Sequence, residues 1–146
     1  MIVGTLSVGA ATATPSTSKV LTATSQQKAT LKAVFIHYKV ATHEMKSSDR
    51  IKWTRVLAAK PAGPLMAYDA SDHRYWALAN FTLVVPFSYE ASVSFQDGGS
   101  MGVMYRTAKG HWVMKSLGEV PLCPSLVPSV VAHLWKIPNL PPCKTG

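Results

Sequence analysis

Between Leu65 and Leu117 the sequence is cut by turn signals into short apolar runs, and that punctuation constrains the fold most. Leu65 to Tyr68 reads as a short strand, and Asp69-Ala-Ser-Asp72 offers side-chain acceptors suited to a turn. Tyr75 to Val85 (YWALANFTLVV) reads as a long apolar strand closed by Pro86. Glu90 to Gln96 places Ala91, Val93 and Phe95 at alternate positions, which predicts a strand with one wet face. Asp97-Gly98-Gly99-Ser100 then reads as a hairpin turn, because Asp-Gly and Gly-Gly take positive φ at little cost. Met101 to Thr107 and His111 to Leu117 are the returning strands around Ala108-Lys109-Gly110.

Helical character brackets this meander. From Ser25 to about Thr42, Leu31, Val34, Phe35 and Tyr38 recur at three- and four-residue spacing, with Lys28, Lys32 and Lys39 read as the opposite face. Arg50 to Ala58 alternates Ile51 and Trp53 with bases, as a half-buried strand does, and Pro61-Ala-Gly-Pro64 is a turn. Pro124 to Trp135 predicts a short helix begun near Ser125 or Pro128. The expected architecture is α+β: an amphipathic N-terminal helix on an antiparallel sheet of about five strands, with a short C-terminal helix. Residues 1–24 read as a leader and linker, 25–137 as a single globular domain and 138–146 as a Pro-rich tail.

At 146 residues, 47% hydrophobic and 15% charged, the chain has material for one real core, and disorder is excluded for most of it. No run of 18 apolar residues exists to span a bilayer as a helix. The first 18 residues carry no charge, and Ala11-Thr12-Ala13 fits a small-x-small cleavage site, although the basic start of a secretory signal is missing. Cys123 and Cys143 bracket a Pro-rich segment. In an oxidising compartment they would close it as a disulfide that stabilises by about 3 kcal/mol. Both features point to export.

The spaced set Tyr68-Asp69, Tyr75-Trp76-Ala77-Leu78-Ala79, Phe81, Phe95-Gln96-Asp97-Gly98-Gly99-Ser100, Gly102-Val103, Trp112, Cys123-Pro124 and Trp135 resembles uncharacterised secreted proteins of high-GC Gram-positive bacteria. The likeness covers roughly residues 65–137 and rests on the order of the motifs. It implies an exported domain at the cell envelope and no known activity. An N-terminal Cys, which the lipoprotein form of such proteins carries, is not present here.

Charge supplies the candidate site. The formal net charge is +8 and the pI near 9.7, but residues 1–60 hold nine bases and two acids while the remainder is nearly balanced. The expected anion-binding residues are Lys28, Lys32 and Lys39 on the helix and Arg50 and Lys52 on the following strand, with Arg55 on that strand's other face. Their partner would be an anionic envelope polymer or lipid headgroups.

Catalysis finds less support. Gly98-Gly99-Ser100-Met101-Gly102 matches the pattern of a nucleophile elbow, yet the flanking residues read as strand and turn rather than strand and helix. Asp69, Asp72, Glu90 and Asp97 read as turn or surface acids, and none of His37, His43, His73, His111 and His133 has metal-ligand spacing. No cofactor or metal site is therefore expected. Tyr75, Trp76, Tyr105 and Trp112 read mainly as core; a strip of them left uncovered beside Arg74 and Arg106 would suit sugar rings or single-stranded nucleic acid. The expected function is a non-catalytic, exported binding or accessory domain. The alternatives are a small hydrolase using Ser100 or the turn carboxylates, and a basic nucleic-acid-binding domain through residues 28–60.

Overall fold

A computed structural model describes residues 15–53, 63–117 and 126–136. Within them the chain runs β1 (Lys19–Leu21), α1 (Ser25–Ala41), β2 (Arg50–Trp53), β3 (Leu65–Asp69), β4 (Arg74–Val84), α2 (Tyr89–Ser94), β5 (Met101–Arg106), β6 (Trp112–Leu117) and α3 (Ser129–Leu134). All strand pairs are antiparallel, in the order β1-β3-β4-β5-β6, with β2 paired to β4. The α+β class holds, with six strands and three helices among the described residues. The helix expected at the N-terminus of the fold is preceded by a strand: Lys19–Leu21, read as linker, pairs with Met66 to Tyr68.

β4 organises the sheet. Its first five residues pair with β3, its last four with β2, and Trp76 to Asn80 with β5. Trp76, Ala77, Leu78 and Ala79 are all buried, so both faces of the sheet are covered through its middle. Phe35 of α1 stacks on Phe81 with ring centroids 4.1 Å apart, and Phe95 meets it edge-on at 5.9 Å. Gly102 makes room for this contact, since a Cβ there would lie 3.0 Å from the Phe35 ring. α3 packs against β3, with Val131, Ala132 and Trp135 buried.

Helix α1 starts at a capping box. The Thr24 hydroxyl accepts from Gln27 N while the Gln27 side chain accepts from Thr24 N, satisfying two otherwise orphaned donors. The β3–β4 turn uses the expected chemistry: Asp69 Oδ1 accepts from Ser71 N at 2.9 Å and Asp72 Oδ1 from Arg74 N at 2.9 Å. The β5–β6 hairpin closes between Thr107 and His111 with Gly110 at φ +86°.

The segment expected as a strand from Glu90 to Gln96 is instead helix α2. Ser88 caps it by accepting from Ala91 N at 3.1 Å, and Glu90 lies in its first turn. On a helix, Ala91 and Val93 point nearly opposite ways; the first is buried and the second exposed. Asp97-Gly98-Gly99-Ser100 therefore joins a helix to a strand and is not a hairpin between two strands. The residues 54–62, with Arg55 and the second half of the expected strand, lie outside the described residues. So do Cys123, Cys143, most of the leader and the Pro-rich tail.

A basic and apolar surface and a separate open trough

The five expected anion-binding residues do not share one surface. Lys39 is fully buried, a correction to its reading as an exposed base. Its Nζ lies 2.6 Å from Glu44 Oε2, donates to the Ser94 carbonyl at 2.6 Å, and faces the Phe95 ring at 5.2 Å. The reason lies in the helical spacing. Phe35 is seven residues after Lys28 and four before Lys39, so the stripe that groups the lysines also contains the central core aromatic. Lys28 and Lys32 are half-buried on the flank of that stripe. A Cβ built at Gly63 would lie 3.4 Å from Lys28 Nζ, so this ammonium is tucked along the chain.

Arg50 and Lys52 do share an exposed face. They are exposed on β2, opposite Val84 and Thr82, while Ile51 between them is buried opposite Leu83 on the Phe81 face. Strand alternation thus puts both bases on the face away from α1. Arg50 Nη2 reaches the carbonyl of Val85 at 3.4 Å. The segment it touches is the most exposed apolar stretch among the described residues: Val85 is 75% exposed, Phe87 43% and Tyr89 80%, with Val93 also outward.

Asp49 fastens this segment. Its Oδ1 accepts from Ser88 N at 2.6 Å and its Oδ2 from Ser88 Oγ at 2.8 Å and from Lys46 N at 3.1 Å. Burial pushes the Asp49 carboxyl up. The Ser88 and Lys46 hydrogen bonds and the Lys46 charge together outweigh it and hold the group below its ordinary value of 3.8.

A second feature was only partly legible in the sequence. An open trough runs between α1 and the β5–β6 hairpin. One part, of about 570 Å³, is walled by Val34, Tyr38 and Ala41 of α1 and by Trp112 and Met114 of β6. Through Thr30 and Trp112 it adjoins a polar cleft of about 460 Å³ that holds Gln27, Tyr75 and Arg106. Through Tyr75 and Arg106 that cleft continues to His73. The Arg106 guanidinium lies over the Tyr75 ring at 5.6 Å, and its Nε donates to the Gly110 carbonyl at 3.0 Å. Beneath it, burial first, then the Tyr75, Asp69 and Asp72 charges, push the Tyr68 phenol above 10.0; its Oη sits 3.2 Å from His73 Nδ1. Tyr75 and Arg106 were readable as one aromatic and one basic position on neighbouring strands. The helical wall was not.

Of the residues weighed for hydrolysis, Asp69 and Asp72 are engaged in the β3–β4 turn. Ser100 follows helix α2 and leads into β5, the reverse of the strand-to-helix order an elbow needs, and its carbonyl accepts from Phe81 N at 2.8 Å. Asp69 is fully buried, with Oδ1 holding Ser71 and Ser18 and Oδ2 unpartnered, and it lines none of the three concavities above. Among the described residues no three His, Cys, Asp or Glu side chains gather to hold a metal ion, and no helix is long and apolar enough to cross a membrane. No protein-family model matches this sequence, and no curated protein or solved structure matches it either.

Proposed function

We propose that this chain is an exported, non-catalytic binding domain of the cell envelope that docks on anionic lipid headgroups through Arg50 and Lys52. The observation that carries the reading is the junction of those two bases with exposed Val85, Phe87 and Tyr89. A cation pair beside apolar side chains suits a membrane surface: the bases meet headgroup charge while the apolar groups enter the acyl boundary. Each base contributes about 1 kcal/mol near an anionic leaflet, and the apolar residues add a part that salt does not screen. Export is supported by the uncharged leader, by the cysteine pair and by the resemblance to secreted proteins of high-GC Gram-positive bacteria.

Two experiments address the two halves. Sedimentation with phosphatidylglycerol vesicles should retain the protein and with phosphatidylcholine vesicles should not; equal retention on both overturns headgroup recognition. Alkylation of protein taken from its native compartment should leave Cys123 and Cys143 unlabelled. Ready labelling of both would argue against export to an oxidising compartment.

A further inference from the structure

The trough between α1 and the β5–β6 hairpin changes character along its length, and a ligand must match that change. Its walls are mostly apolar from Ala41 back to Val34 and Trp112, with His37 and Tyr38 the ionisable side chains there, then become polar where Gln27 and Arg106 line the cleft. Thr30 to Ala41 spans about 16 Å of helix axis at 1.5 Å per residue, room for an extended hydrocarbon chain. Arg106 stands at the polar end. It rests on the Tyr75 ring, only its Nε donates a hydrogen bond, to a neutral carbonyl, and no carboxylate of the described residues pairs with it. An unpaired guanidinium presents a planar fork that matches a carboxylate.

We propose that this trough binds a single-chain fatty carboxylate, with the acyl chain along α1 and β6 and the carboxylate on Arg106. The site is separate from the Arg50–Lys52 surface, so it extends the docking reading without depending on it. No bond is made or broken; the ligand is held and released.

The test titrates the full chain with octanoate, decanoate and laurate below their micelle-forming concentrations, followed by tryptophan emission and by calorimetry. Affinity should rise by up to about fourfold per added methylene, as burial of each in an apolar groove requires. Arg106→Gln should weaken laurate about tenfold and keep the chain-length dependence. Ala33→Trp fills the groove from an exposed helical position and should remove that dependence, with Ala41→Trp as the second variant should the first fail to fold. Arg50→Gln/Lys52→Gln should bind laurate as the unaltered protein does. Affinity independent of chain length, laurate binding unchanged in Arg106→Gln, or laurate binding undiminished in a folded groove-filled variant overturns the proposal.

Discussion

Asp49 and Ser88 meet twice, once through the Ser88 backbone N–H at 2.6 Å and once through its hydroxyl at 2.8 Å. This paired contact ties the start of β2 to the cap of α2 and so sets Arg50 beside the apolar segment from Val85 to Tyr89. The same hydroxyl also caps the helix at Ala91 N, so one serine serves both elements.

Asp49→Ala should cost at least about 2 kcal/mol in denaturant unfolding, since three charge-assisted hydrogen bonds are lost. The pH dependence has a definite sign. The folded carboxyl ionises below 3.8, so its contribution is fully present above that value and is lost as pH falls through and beneath it. Asp49→Asn should therefore flatten the acid limb of a stability–pH profile. An unchanged limb would separate Asp49 from the acid response.

Lys39 and Glu44 give a different prediction. Lys39→Met fills similar volume without a charge to desolvate and should change stability by less than about 1.5 kcal/mol. Glu44→Ala leaves the buried ammonium with the Ser94 carbonyl and should cost about 1–2 kcal/mol, moderated because Glu44 is one-third exposed. Thermal unfolding of both variants checks the order; a greater loss from Lys39→Met would contradict it.

The two sides of the Gly99-Ser100 step should respond unequally. A Cβ on Gly99 would overlap the Ser94 carbonyl, which Lys39 already holds in place. Gly99→Ala should thus cost at least about 2 kcal/mol, whereas Ser100→Ala should cost less than about 1 kcal/mol and leave any activity intact. A double-mutant cycle of Gly99→Ala with Lys39→Met should show coupling, because both act on one carbonyl.

The strands from Leu65 to Asp69 and Arg74 to Val84, and the β5–β6 hairpin, were legible because each combined apolar runs with turn chemistry at both ends. α2 was not: the segment from Glu90 to Gln96, with Ala91, Val93 and Phe95 at alternate places, satisfies the strand pattern, and only the Ser88 cap argues for a helix. Lys19–Leu21 is too short to show any period, and its pairing with β3 is a tertiary fact. In the candidate site, Arg50 and Lys52 followed from strand alternation alone. The burial of Lys39 was foreshadowed by its four-residue spacing from Phe35; what the sequence hid was its polar partners, Glu44 and the Ser94 carbonyl 55 residues away. The apolar fringe was hidden for a similar reason: Val85, Phe87 and Tyr89 look like core residues until the turn after β4 carries them outward.

Comparative vesicle binding of two paired variants tests the docking surface most directly. On phosphatidylglycerol vesicles at low salt, Arg50→Gln/Lys52→Gln should lose most of the affinity and most of its salt dependence. Phe87→Ser/Tyr89→Ser should weaken binding and leave the salt dependence in place. Lys28→Gln/Lys32→Gln, on the flank of α1, should change little. Equal losses from the Arg50/Lys52 and Lys28/Lys32 pairs would mean that net charge alone drives adsorption, and would contradict a surface built on Arg50, Lys52 and the Val85–Tyr89 segment.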